Sequence, residues 1–407
     1  MTRGDAGKTS GLADRKRELL RRMLAEERLT TGSHDVVSGA PREPGKGYPL
    51  SPGQQRMWFL QQLNPSTVAY NIAAAFTLRG PLDEEILRES LVGVVRRHEI
   101  LRTTYRADET GTPAQFINPD LTVPCSTHDL SGVPQPQQEE QIDRIAVDEA
   151  QHVFDLAAEA PLRVTLVRSS PELRTLVLVA HHIAWDDESW EVFFGDLMDS
   201  YAAIRRGAGR TGTGRVPQYL DFAAQDTESV ADELGFWRQR LTPPPEPLEL
   251  PGAHGRPVAG DEVGGQRSRA FAAALLDRVR ELAAHAAASP FMVLLAAFNG
   301  LIHRCTGTTD VIVGSPVVNR DGSYADRALG YFGNMVCLRT EPSSSDTFLD
   351  LIEKTRIACS GAFSHQKADF ERIVSELNPH RFDGVSTLFN VMFAVRRPAA
   401  AALHTEE

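Results

Sequence analysis

A chain of 407 residues with 42% hydrophobic and 24% charged side chains can bury a core in each of two or three lobes of ~150 residues, which excludes bulk disorder. Its formal net charge of −11 opposes general nucleic-acid binding, because neutralising phosphates needs a surplus of Lys and Arg. No run approaches the ~18 apolar residues of a membrane span, the Met1–Asp5 start has no apolar signal core, and Cys125, Cys305, Cys337 and Cys359 lack metal-ligand spacing, so the expectation is a cytoplasmic protein with reduced, mostly buried thiols and no metal.

Residues 1–11 and 30–46 are rich in Gly, Ser, Thr and Pro and read as mobile. Between them, Leu12, Leu19, Leu20, Met23 and Leu24 fall at helical spacing among Arg and Glu, which predicts an amphipathic helix over Leu12–Leu29. That helix either packs on the body or docks on a partner, and residues 1–47 are set apart from a body that starts near Tyr48. Leu82–His98 and Gln137–Asp155 read as helices, with a short strand at Leu121–Cys125. Leu162–Val167 and Leu173–Ala180 are apolar, β-branched runs around Ser169-Ser170-Pro171, two buried strands, and the second runs into His181-His182. After Phe236-Trp237 the prolines from Pro243 to Pro257 mark a boundary between a lobe at 48–237 and a lobe at 238–407. Helices follow at Ala273–Ala287, Met292–His303 and Phe348–Phe363, with strands at Val311–Val313 and Leu388–Val395. The mixture predicts an α/β fold in two lobes.

The densest grouping of chemistry is His181-His182-Ile183-Ala184-Trp185-Asp186-Asp187-Glu188-Ser189-Trp190. At a strand end, side-chain alternation sends the two histidines to opposite sides, so one faces a given cavity while the other is bonded within the fold or solvated. An imidazole near its ordinary pKa of ~6.5 gives and takes protons around neutral pH, which suits acyl transfer. Adjacent strand histidines diverge and the nearby carboxylates lack a zinc spacing, which argues against a metal. No Gly-x-Ser-x-Gly elbow supports a Ser-His-Asp triad. Spacing alone leaves a structural pair and a catalytic histidine both open.

The segment resembles the His-His-x-x-x-Asp-Gly signature of nonribosomal peptide synthetase condensation domains, which share a fold with chloramphenicol acetyltransferase. Six further stretches resemble that family's motifs in order: Ser51–Leu60, Arg97–Thr103, Tyr219–Ala223, Gly330–Asn334, His365–Glu371 and Arg381–Phe389. Asp310–Arg320 is another family-like stretch, and the resemblance covers about residues 48–395. It implies two chloramphenicol acetyltransferase-like lobes in a V arrangement around a central tunnel. Donor and acceptor peptidyl carrier proteins would deliver an acyl thioester and an amine on phosphopantetheine arms, with no cofactor bound permanently. Other synthetase modules are candidate partners of the N-terminal helix.

By the same resemblance, His182 matches the second motif histidine at the tunnel midpoint, as proton acceptor or as positioner of the amine and the tetrahedral intermediate. His181 is expected to be structural. Asp186 matches the motif aspartate, the expected half of an ion pair with Arg102 or Arg97. Asn334 is expected near the tunnel or as a capping or loop amide. Trp185 and Trp190 are expected to line the channel or fill the core, and Ser189 to sit at a helix N-terminus. Trp58-Phe59-Leu60 with Tyr70-Asn71-Ile72 is similar to the subtype that accepts an L-configured donor.

Two departures bear on activity. Asp187 stands where the motif has glycine, and a carboxylate facing the tunnel would favour a protonated, less basic His182. A recruitment-type relative without activity has the same Asp-Asp ending but lacks the second histidine kept here. After Val395 a short Ala-rich tail stands where the family continues with a strand and helix, so a shortened C-terminal lobe is expected. Amide formation, docking without chemistry, and ester formation with a hydroxyl acceptor are the functions carried forward.

Overall fold

The structure is a computed structural model, described over residues 42–43, 45–208, 216–223, 231–244, 246, 248–251, 265–320, 325–377, 388–396 and 403–404. The expected helix Leu12–Leu29 and most of Arg381–Phe389 lie outside the described residues.

After β1 (Gly47–Pro49), α1 (Pro52–Leu63) begins with a capping box. Ser51 Oγ accepts from Gln54 N–H, Gln54 Oε1 accepts from Ser51 N–H, and Pro52 brings a φ already suited to the first turn. Following β2 (Asn71–Arg79), α2 (Glu84–Arg97) is capped by Asp83, with Glu84 and Glu85 in its first turn and Arg96 and Arg97 in its last, each sign where the helix dipole favours it. The strands β3 (Thr103–Ala107), β4 (Pro113–Ile117) and β5 (Cys125–Asp129) come next. The strand expected at Leu121–Cys125 starts only at Cys125, because Leu121 N–H closes a turn onto Asn118 O and Pro124 has no N–H to give a ladder. Helix α3 (Gln135–Ala150) stops short of the expected Asp155, where Phe154 drops into the core and Asn71 Nδ2 donates to the carbonyls of Ala150 and His152.

The hairpin of β6 (Leu162–Ser170) and β7 (Leu173–His181) forms as expected and sits at the middle of a five-stranded sheet that, with β10 (Leu403–His404) at one edge, runs in the order β10-β2-β7-β6-β5. Its edge pairings, β10 with β2 and β5 with β6, are parallel, and the inner pairings are antiparallel. Every β7 residue after Leu173 is buried, as a central strand covered on both faces requires. Helix α3 lies against β2 and β7, while α4 (Ser189–Arg205) packs on α2 and sets Trp190 and Phe194 against Phe76 of β2. A separate antiparallel sheet runs β1-β4-β3.

The second half contributes α5 (Tyr219–Ala223), α6 (Ala231–Leu241), α7 (Ala273–His285), α8 (Pro290–Thr306), β8 (Val311–Val318), β9 (Gly333–Thr340), α9 (Phe348–Ser364) and α10 (Phe370–Leu377). Its core joins Trp237, Leu241 and Leu295 to Val311–Val313, Leu338 and Phe389. The first core, built on β6, β7, α2 and α4, also takes in Ala325, Ala328, Leu329 and Phe332, so the chain returns to its first half late in the sequence. The expected strand Leu388–Val395 makes one parallel bridge, Gly314 with Met392, through Gly314 N–H to Val391 O and Phe393 N–H to Gly314 O at 2.9 Å each. The next β8 residue facing that edge is Pro316, which has no N–H, so the ladder ends. Thiol burial also departs from expectation: Cys337 and Cys359 are buried, but Cys125 lies on the exposed edge strand β5 and Cys305 on the last turn of α8. No single described helix is long and apolar enough to cross a membrane.

Candidate active site

β7 delivers His181 as its last residue, and a single 3-10 turn, His182–Ala184, follows. The turn is pinned at both ends: His182 N–H donates to Tyr70 O at 2.8 Å, and Gln54 Nε2 donates to Ile183 O at 3.2 Å. His181 is buried, and its Nδ1 accepts from Ile183 N–H at 3.1 Å. Burial, with the adjacent His182 adding to it, pushes the His181 pKa down to about 3, so that ring is neutral at any ordinary pH. The half-buried His182 ring sits differently: its Nδ1 is 2.6 Å from Trp185 O. A carbonyl can only accept, so Nδ1 carries the proton and the neutral ring keeps its lone pair on Nε2. The Tyr331 ring stands edge-on to His182 with centroids 4.9 Å apart.

Asp186 is buried and fully partnered. Oδ1 accepts from Arg320 Nη2 (2.7 Å), Ser189 N–H (2.9 Å) and Ser189 Oγ–H (2.7 Å), and Oδ2 from Arg320 Nε (3.3 Å) and Phe332 N–H (3.2 Å). The cation is therefore Arg320, from the family-like stretch 310–320, and not Arg102 or Arg97. Arg97 pairs instead with Asp196, which also binds the buried His98, because both project from the end of α2 onto α4. Arg102 is half-buried beside Glu99, its nearest carboxylate influence. Arg320 Nη1 donates to Ala325 O and Ala328 O, and the guanidinium stacks over Phe332 at 4.2 Å. This one guanidinium thus ties the histidine turn to segment 325–332, which carries Tyr331.

The other expected residues divide clearly. Ser189, first residue of α4, is wholly buried; its Oγ–H donates to Asp186 and its Oγ accepts from Gly330 N–H. Trp185 is enclosed by Trp190 and Phe193, so it is core and lines no open passage. Trp190 packs on Phe76 and Phe194. Asn334, near the start of β9, is an amide that secures the loop leading into α10: Nδ2 donates to Gln366 O (2.8 Å) and Ala368 O (2.7 Å), and Oδ1 accepts from Phe370 N–H (3.2 Å). Asp187 is exposed, has no positive φ, and pairs with Arg396 Nε at 3.2 Å. Neither its backbone nor its charge makes the demand on His182 that a carboxylate turned inward would make.

Arg320, Tyr219 and Tyr331 lie inside motif stretches, yet the sequence pattern assigns them no work. Tyr219 Oη donates to Tyr331 O at 2.7 Å and accepts from Ser51 Oγ–H at 2.7 Å, which links the opening motif to the late one. Such links join residues 112 and 168 positions apart, and no local signal reports them. A small apolar hollow lined by Leu78, Leu176, Leu197 and Tyr201 lies toward the other end of β2 and β7. At ~3.3 Å per strand residue it is about 20 Å from His182 and takes no part in this site.

The model of the family described as Condensation domain matches residues 45–403. A component of the linear gramicidin synthase of Brevibacillus parabrevis is 35% identical over 378 residues, covering 92% of this chain and 5% of its own. Phosphinothricin tripeptide synthetase PhsC of Streptomyces viridochromogenes is 33% identical over 386 residues, 92% of this chain and 35% of its own, so this chain spans a minor part of each relative. The X-domain from teicoplanin biosynthesis superposes with a TM-score of 0.76 at 27% identity, covering 88% of this chain and 79% of that one. A four-domain nonribosomal peptide synthetase, AB3403, shares the fold with a TM-score of 0.75 at 19% identity, over 90% of this chain and 28% of that one.

Proposed function

The chain belongs to the condensation-domain family, and from that premise we propose that it forms an amide bond in nonribosomal peptide synthesis, between a carrier-bound acyl or peptidyl thioester and the amine of a carrier-bound amino acid. The observation that carries this reading is the His182 ring, half-buried, its Nδ1–H fixed on Trp185 O and its Nε2 left to accept. The amine nitrogen attacks the thioester carbonyl carbon, the C–N bond forms and the C–S bond breaks, and the proton lost by nitrogen ends on the departing thiol. In this reading Nε2 holds the amine N–H during attack and relays that proton. A thioester is already activated, so holding two tethered reactants together supplies much of the rate, up to roughly 7–11 kcal/mol in the best cases. Donor and acceptor peptidyl carrier proteins are the proposed partners, phosphopantetheine arms the carriers of substrate, and two lobes around a passage the proposed geometry. The motif similarity favours an L-configured donor.

The test is a reconstituted assay with both carriers loaded and product followed by mass spectrometry. Wild type should form amide and His182→Ala should lose at least ~100-fold, within the range of general acid–base catalysis; equal turnover removes His182 from the chemistry. A docking role without chemistry is the second reading, favoured by the likeness to the teicoplanin X-domain, which is also known in a complex with OxyB. It predicts binding of a carrier or enzyme partner with no product under any loading. Comparing amine with hydroxyl acceptors separates amide from ester formation.

A further inference from the structure

We infer that the Tyr331 hydroxyl donates a hydrogen bond to the carbonyl oxygen of the reacting thioester, opposite the His182 Nε2 that receives the amine proton, an assignment that rests on the amide-forming reading above. The backbone around Tyr331 is fixed on every side. Gly330 N–H donates to Ser189 Oγ, Tyr331 O accepts from Tyr219 Oη–H, Phe332 N–H donates to Asp186, and Phe332 O accepts from Asn319 N–H. The ring lies in a slot that two glycines leave open. A Cβ on Gly53 would come within 2.5 Å of Tyr331 Cε1, and one on Gly333 within 2.9 Å of Cε2. One face of the site is thus cut to accept a phenol beside His182, with ring centroids 4.9 Å apart.

All this constraint leaves the hydroxyl unused by the protein. Among the described residues nothing hydrogen-bonds it, although the neighbouring Tyr219 spends its own hydroxyl twice. Burial raises the Tyr331 pKa, so the group is a neutral O–H donor at physiological pH. His182 offers the complementary acceptor. With the two rings 4.9 Å apart centroid to centroid, one site holds a lone-pair nitrogen and an O–H donor, which match the two groups that change during attack: an amine N–H that becomes acidic, and a carbonyl oxygen that gains the electron pair of the C=O bond. On collapse that pair re-forms C=O as the thiolate leaves, and the Tyr331 proton stays on its oxygen throughout. Fixed donors aimed at a developing oxyanion are worth most because they need no reorganisation.

The experiment compares wild type, Tyr331→Phe and His182→Ala in the two-carrier assay, with melting temperatures measured alongside. Tyr331→Phe keeps the ring in its slot and removes the hydroxyl, so folding should be unchanged. The expected result is a fall in kcat of ~100–1000-fold with KM for the loaded acceptor within about twofold. An unchanged kcat, or a loss expressed only in KM, overturns the assignment, since a ground-state or packing contact behaves that way. Product from wild type with a fully active Tyr331→Phe leaves amide formation standing and sinks the tyrosine alone. Absence of product from wild type sinks both.

Discussion

His181 closes β7 with Nδ1 accepting from Ile183 N–H and Nε2 enclosed with no hydrogen-bond partner among the described residues. Because the folded-state pKa is about 3 against ~6.5 for an unfolded chain, the native protein binds fewer protons than the unfolded one between those values. Its neutrality costs nothing above pH ~6.5, and stability is lost as pH falls below that value, by about 1.4 kcal/mol per unit. Wild type should therefore lose roughly 2 kcal/mol of unfolding free energy between pH 6.5 and 5 from this residue alone. His181→Asn keeps an acceptor near the Nδ1 position and cannot charge, so its urea midpoint should fall less over the same interval. Parallel curves for the two proteins would show that the ring charges in place. Its neighbour His182 was legible in sequence as the candidate; the hydrogen bond that sets its tautomer was not, since Trp185 O reaches it only through the geometry of the turn.

At the scale of elements, two glycines hold strands and loops at distances no side chain allows. A Cβ on Gly330 would sit 2.1 Å from Tyr219 Cδ2, and one on Gly314 would sit 2.2 Å from the Phe389 ring. Gly330→Ala is expected to cost about 1–3 kcal/mol by overpacking and to displace Tyr331 from His182, read as a lower denaturant midpoint together with reduced turnover. A variant of wild-type stability would mean that Tyr219 has room to withdraw. Periodicity gave the long elements correctly, as in the β6–β7 hairpin, because their apolar runs are strong and local. It failed at Leu121–Cys125 and Leu388–Val395, where apolar residues are present but Pro124 and Pro316 remove donors a ladder needs. Whether an apolar stretch becomes a strand depends on its neighbour's free N–H groups as much as on its own composition.

Across the whole molecule, Asp186 and Arg320 join segments 134 residues apart, with side chains only 7% and 4% exposed. Removing one partner leaves a buried charge, so Arg320→Met should destabilise by about 3–5 kcal/mol. Arg320→Lys should recover little, because the planar fork bonds the carboxylate, two carbonyls and the Phe332 face together. A double-mutant cycle with Asp186→Asn checks this; near-additive losses would mean the two residues act separately.

The sequence by itself determined the α/β class, the long helices and strands, the family, and the placing of the two histidines at the end of a buried strand, since each is written in short-range pattern or in motif order. Which cation meets Asp186, where the Asp187 charge goes, and that Tyr331 faces His182 were decided only by tertiary structure. Those pairings depend on where distant segments come to rest, and a buried carboxylate takes the donor that packing brings to it, not the nearest arginine in sequence.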